Sequence, residues 1–386
     1  SLPAFEILQV NTGTKGICAP SVIESLVELT RRIEAGGYAA YAQMQRDAAS
    51  ARDRLAAFLG ADSSELAFTG NATESLNAAL ALPWERWGTP VDVLISDHEY
   101  PTTNLVFGFL KQTGRVNLIR YPLETDPQAL LDAVEGRVTP NTRVVVASHV
   151  DCNTGRRPDV AALSKWARDR GIASFIDGAQ ATGQFPIDLH TIGCDVYVTN
   201  GHKWLYGPNG VGLLYVRAGF EEEMLPGWVG SGTMHFRPDH EYDGPPGWTA
   251  GAHRFELTAT RPAQVLATMH AALDAYESWG PGAIEAQQRI LAHHVRRRVL
   301  EQPDRFTLLS PEPWEHGSAL VSIGIRGVTG EQIAQFCGEM LERRLAFLRP
   351  VPEFDALRIS AAYYNTEDDY ERLFDLLEEL ETRASR

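Results

Sequence analysis

The chain has 386 residues, 44% hydrophobic and 22% charged, with a formal net charge of −15. That length exceeds what one core covers, so two domains are expected in an ordinary globular protein. The acidity argues against a nucleic-acid phosphate backbone as partner, because that needs clustered Lys and Arg.

Cys18, Cys152, Cys194 and Cys337 are widely spaced and form no CxxC pair, so neither a metal centre nor a disulfide framework is expected. No apolar run reaches the length of a membrane span, and SLPAFEILQV lacks a signal pattern. The expectation is a reduced, cytoplasmic protein with no membrane partner. It begins at Ser1, which leaves processing and excision from a longer polypeptide both open.

Taken in order, Pro20 opens a predicted helix over Ser21–Ala35 that Gly36-Gly37 ends, and a second helix runs from about Ala42 to Leu59. An alternation follows. Leu66–Thr69, Val91–Ser96, Val116–Tyr121, Arg143–Ser148, Ala173–Ile176, Val196–Val198 and Gly210–Val216 read as strands. Thr73–Leu82, Thr103–Gln112, Pro127–Glu135 and Asp159–Arg170 read as helices between them. This pattern predicts an α/β fold with a mostly parallel, seven-stranded sheet between helices.

Pro226–Ala252 shifts to Gly, Pro, Trp and His without period, which predicts a long functional or interface loop. Helical patterns over about Arg261–Tyr276 and Gly282–Glu301 lead into a different alternation. Ala319–Ile325 and Leu357–Ala361 read as strands, Gly330–Glu342 and Glu367–Ser385 as helices. The expected division is a large domain over 21–260 and a small α+β domain over 261–386, joined by 1–20.

The chemistry concentrates in Ala173–Tyr215. Its first apolar run ends in Asp177 and Gln180, its second in Thr199, Asn200, His202 and Lys203. A buried acid beside a buried lysine is costly unless a ligand uses both. Pyridoxal phosphate would: its aldehyde takes the amine as a Schiff base and its pyridinium nitrogen pairs with the carboxylate.

The run DGAQATGQFPID…CDVYVTNGHKWLYGPNGVGLLYV resembles the class V aminotransferase superfamily, the fold-type I pyridoxal phosphate enzymes that include cysteine desulfurases. The resemblance extends from about Asn11 to the C-terminus. It implies Lys203 as the Schiff-base lysine and α-carbon base, and Asp177 as partner of the ring nitrogen. Gln180 would bond the ring hydroxyl and His202 the phosphate. Taken alone, Asp177 would read as a helix N-cap, a reading that recedes once it is paired with Lys203, whose own plain alternative is a surface lysine in a turn. Ala72 and Thr73, in the turn after Thr69, would cradle the phosphate, although Gly-Asn alone is also a simple turn. Thr260, and less firmly Thr258, would reach a phosphate across a homodimer interface.

Tyr100 stands where the family's stacking histidine is usual, and can stack but not act as a neutral-pH base. Many relatives have asparagine where this chain has Cys152, and Asn153 is the neighbour that could replace it. His149 would support the site from behind. Arg358 resembles the family's substrate-carboxylate anchor, with Arg349 as a second anion contact.

Desulfurases carry a nucleophilic cysteine on a late loop. Only Cys337 lies there, inside a helical pattern, and Cys152 reads as packing. SHVDCNTG, GPPGWTAGAHRFE, FLRP and LRISAAYYNT look most like cystine and cysteine C–S lyases and isopenicillin-N-epimerase-like proteins. The expected activity is therefore β-elimination from cysteine, cystine or an S-conjugate. Aminotransferase or epimerase chemistry is the alternative, and a desulfurase-like or non-catalytic cofactor-binding domain of a larger assembly the next.

Overall fold

The computed structural model describes residues 7–230, 232–234, 247–256 and 259–384. Much of the predicted Gly/Pro/Trp loop, and Thr258, lie outside the described residues.

Strand β1 (Leu8–Gln9) comes first, followed by the seven strands of the central sheet. These are β2 (Leu66–Thr69), β3 (Val91–Ser96), β4 (Val116–Tyr121), β5 (Thr142–Ser148), β6 (Ala173–Asp177), β7 (Val196–Asn200) and β8 (Gly212–Val216). Their order is β2-β8-β7-β6-β5-β3-β4. The pairs from β7 through β4 are parallel, as expected from helices between consecutive strands. β8 runs antiparallel to both its neighbours, because only the short segment 201–211 joins it to β7.

Alternation along the strands supplies both faces of the sheet. Leu94, Val145 and Ile176 enter one hydrophobic cluster, while Val93, Ile95, Val146 and Phe175 enter the other. A sheet apolar on both sides must be covered on both sides, and the crossover helices do this. The chain turns to opposite sides after β3 and after β5, which leaves a crevice at their C-terminal ends where such sheets bind ligands.

Four more strands, β9 (Phe306–Leu308), β10 (Leu320–Ile325), β12 (Arg349–Val351) and β13 (Ala356–Ser360), form an antiparallel sheet in the order β12-β13-β10-β9. β11 (Ala346–Phe347) pairs in parallel with β1, so the N-terminal segment is tied to the C-terminal third of the chain. Ser360 N donates to Val10 O at 2.9 Å, and Asn365 Nδ2 to Gln9 O at 2.9 Å.

Three helices differ from the sequence expectation. The first helical run spans Pro20–Phe58, broken in dihedrals only at Gly37 (φ 57°, ψ −141°), a conformation open to glycine alone. The helix expected over Thr73–Leu82 is five residues of α-helix, Ala72–Leu76, tightening into a 3₁₀ turn over Asn77–Ala81. The pattern over Arg261–Tyr276 splits into Ala263–Ala267 and Met269–Trp279.

Candidate active site

The C-terminal ends of β6 and β7 open onto a cleft of about 300 Å³. Asp177 closes β6 and is 3% exposed. Its Oδ1 accepts from Ala179 N at 2.9 Å and its Oδ2 from Thr103 Oγ1 at 3.3 Å, while burial raises its pKa. Lys203 lies in the connection beyond β7. Burial brings its ammonium down to about 8, against the upward pull of Asp177, and the Arg358 guanidinium pushes the same way as burial. Acid and amine thus share one cleft, each favouring the other's charged form.

Lys203 Nζ lies 5.9 Å from the centroid of the Tyr100 ring, which lines the same cleft. His202 is pushed down to about 4 by burial and then by Lys203 and Lys15, so its imidazole is neutral. Gln180 lines the cleft with its amide largely engaged: Nε2 donates to Gly13 O at 2.8 Å and Oε1 accepts from Trp204 Nε1 at 3.0 Å. Ala72 and Thr73 begin the helix after Asn71, whose Oδ1 caps it by accepting from Glu74 N at 2.9 Å. Amides at such positions have no partner within their own helix.

Arg358 is 4% exposed on β13, its charge held by the N-terminal segment and a carbonyl. It donates from Nη1 to Cys152 O at 2.8 Å and from Nη2 to Asn11 Oδ1 at 3.0 Å. Arg349, on β12, is exposed and borders the same cleft.

Nine of the residues singled out from sequence therefore meet in one cavity: Ala72, Thr73, Tyr100, Asp177, Gln180, His202, Lys203, Arg349 and Arg358. Asn153 and Thr260 do not line it. Asn153 sits behind, its Oδ1 accepting from Cys152 Sγ at 3.5 Å and its carbonyl from Ser322 Oγ. Thr260 is exposed at the surface. His149 is buried behind β6; its N donates to Asp177 O at 2.8 Å and its ring Nδ1 contacts Tyr197 OH at 2.9 Å. Cys152 is buried and pushed up to about 12, chiefly by desolvation, and so is Cys337 within its helix.

Sequence reasoning missed the N-terminal contribution. Gly13 and Thr14 line the cleft, and Gly16 N donates to His202 O at 2.8 Å. A methyl at Gly16 would collide with Lys203 O, so the glycine there permits the close approach. Thr103 also went unnoticed, and Asn200, seen at its strand end, was given no role. The glycines of NTGTKG were the available signal, but a short irregular segment does not announce which distant strand it will lie against.

Residues 17–373 match the family model "Aminotransferase class-V". The isopenicillin N epimerase of Streptomyces clavuligerus is 35% identical over 341 residues, 86% of this chain and 83% of that protein. A probable cysteine desulfurase of Pseudomonas putida is 30% identical over 347 residues, 86% of this chain and 82% of that protein. A solved complex of the cystine C-S lyase C-DES with its product cysteine persulfide superposes with a TM-score of 0.84 at 23% identity, covering 98% of this chain and 97% of that one. The chain therefore belongs to the class V aminotransferase family, with the fold-type I architecture and pyridoxal 5′-phosphate as its cofactor.

Proposed function

We propose that this protein is a pyridoxal phosphate enzyme that removes the α-proton of a cysteine-type amino acid and eliminates the β-sulfur. Support for the cofactor's seat comes from side-chain atoms bordering the cleft. Asn200 Oδ1, His202 Nδ1 and Arg358 Nε are buried without a hydrogen-bond partner. Buried polar atoms in that condition call for a ligand. Lys203 would hold the cofactor's aldehyde carbon, Asp177 its ring nitrogen and Tyr100 a ring face. Ala72, Thr73 and His202 would hold its phosphate, and Gln180 its ring hydroxyl.

Bound there, the cofactor supplies an electron sink for charge developing at the substrate α-carbon. Arg358 grips the substrate carboxylate through its remaining donor face and orients the Cα–H bond. Lys203 Nζ takes the proton from Cα, and its depressed pKa suits it to that task near neutrality. Asp177 keeps a negative charge beside the ring nitrogen, and the apolar strands around it exclude water.

The observation that favours elimination over sulfur transfer is the state of the thiols. Cys152 and Cys337 are both buried and both held protonated, so neither is a ready persulfide acceptor. Elimination needs one base and one carboxylate anchor, which the cleft supplies. Overall, a cysteine S-conjugate and water give pyruvate, ammonia and a thiol, or a persulfide when the substrate is cystine.

The relatives favour a second reading: epimerisation shares the α-proton step and differs only in where the proton returns. Incubating the holoenzyme with L-cystine and S-alkyl cysteines in heavy water separates the two. Pyruvate with released thiol supports elimination. Deuterium incorporation at Cα with loss of optical purity, and no pyruvate, overturns it in favour of the epimerase.

A homodimer is part of this reading. Trp228 is 70% exposed and borders a second cleft with Asn71 and Thr73, beside the proposed phosphate turn. Sedimentation at two protein concentrations tests it, and a persistent monomer overturns it.

A further inference from the structure

One buried acid near the cleft has no part in the chemistry above. Glu99 is 3% exposed, just beyond the end of β3, in the turn that presents Tyr100. Its Oε1 accepts from Ser96 Oγ at 2.6 Å and from Ser148 N at 2.8 Å, and its Oε2 from Ser148 Oγ at 2.9 Å. Its carbonyl accepts from Asn104 Nδ2 at 3.0 Å, on the helix that follows Tyr100. The side chain therefore bridges the ends of β3 and β5, the two strands that flank the ligand crevice. Ser148, in turn, is the register partner of Asp177 across β5–β6.

The electrostatics are one-sided. Among the described residues no cation forms an ion pair with Glu99. The titratable groups acting on it or acted on by it are the Asp177 carboxylate on β6 and the Tyr121 phenol on β4. Two carboxylates in one dry interior do not both ionise readily, because each raises the energy of the other's charge. Burial and Asp177 together hold Glu99 up at about 7, even though three hydrogen bonds favour its charged form.

We propose that Glu99 is a positioning residue of the cofactor site. It pins the Tyr100 turn to the strand beside Asp177, and it carries the proton that leaves Asp177 as the sole negative charge facing the ring nitrogen. This rests on the cofactor arrangement proposed above. Its first part acts through geometry and its second through charge, so two variants separate them. Glu99→Gln keeps the size and most of the hydrogen bonds but cannot ionise; Glu99→Ala removes the clamp.

The experiment compares both variants with the parent protein in two states. Without cofactor, ionisation of Glu99 contributes a fall in the parent's unfolding midpoint as pH rises from about 4.3 towards 7, because a raised carboxyl pKa costs stability once the unfolded state ionises. Glu99→Gln lacks that fall. With cofactor, the visible absorbance of the parent shows a pH-dependent inflection that Glu99→Gln lacks. Glu99→Ala binds cofactor about tenfold more weakly, the loss expected for one buried hydrogen bond.

Parent-like pH curves for Glu99→Gln in both states overturn the proton-holding role. Parent-like cofactor affinity in folded Glu99→Ala overturns the clamp. If the parent itself binds no cofactor, the cofactor arrangement fails instead, and the cofactor-free melts still report on Glu99.

Discussion

Arg349 and Arg358 face each other across β12 and β13, Cα paired with Cα, so two guanidinium-bearing side chains leave the same side of the small sheet. One is buried and partly satisfied by Asn11 and the Cys152 carbonyl; the other is open at the cleft. Like charges directly opposite destabilise a strand pair. An anion between them relieves that, and in the proposed function this anion is the substrate carboxylate.

Replacing Arg358 by Lys is therefore expected to raise KM more than it lowers kcat. The lysine keeps a charge and loses the planar fork, a loss of about 2 kcal/mol or roughly thirtyfold in kcat/KM. Steady-state kinetics on the preferred amino acid checks this. Arg349→Ala is expected to leave the cofactor-free protein at least as stable as the parent, and to raise KM most for substrates with a second carboxylate, such as cystine. A uniform rise for all substrates would contradict that role.

Cofactor capture is expected to depend on pH through Lys203. Only the neutral amine attacks an aldehyde, and its ammonium titrates at about 8. At pH 7 an amine of that kind is neutral about 230 times more often than an unperturbed lysine at 10.4. The rate at which the cofactor-free protein gains visible absorbance should climb from pH 6 to about 8 and then level off. Lys203→Ala should gain none.

Acid should weaken the fold through His149. Burial, and then Arg157, lowers its pKa to about 3, while the unfolded chain takes up that proton near 6.5. Between those values the unfolded state binds more protons. Stability is therefore full above about 6.5 and falls as pH drops, by at most ~1.4 kcal/mol per pH unit from this group. From pH 7 to pH 5 the denaturant midpoint of the parent should fall relative to that of His149→Gln.

Gly16→Ala should disable the site from outside the cleft. The new methyl meets the Lys203 carbonyl, so either the N-terminal segment lifts or the lysine turn shifts. Cofactor retention after dialysis should fall, with far-UV circular dichroism unchanged. Normal retention would show that the segment adapts without disturbing Lys203.

The central sheet was readable because its strands are short apolar runs closed by helices, and Val91–Ser96 was expected with the bounds it has. Asp177 and Lys203 were readable for the same reason: strand ends in such sheets are where polar residues gather. The two-residue β1 and three-residue β9 carry too little pattern to stand out. Contacts of long range were hidden as well. Arg358 meets Asn11 across 347 positions of sequence, and Tyr276 OH reaches Gly183 O across 93. Glu99 was legible as a charged residue in a turn; only the register of β5 against β6 sets Ser148 between it and Asp177.

The threading of Asn11–Gly16 between Arg358 and the Lys203 turn also has a consequence for biosynthesis. A ribosome delivers Asn11 347 codons before Arg358. The nascent polypeptide can bury its central sheet early, from neighbours close in sequence, yet the cleft stays unfinished until these two distant segments meet.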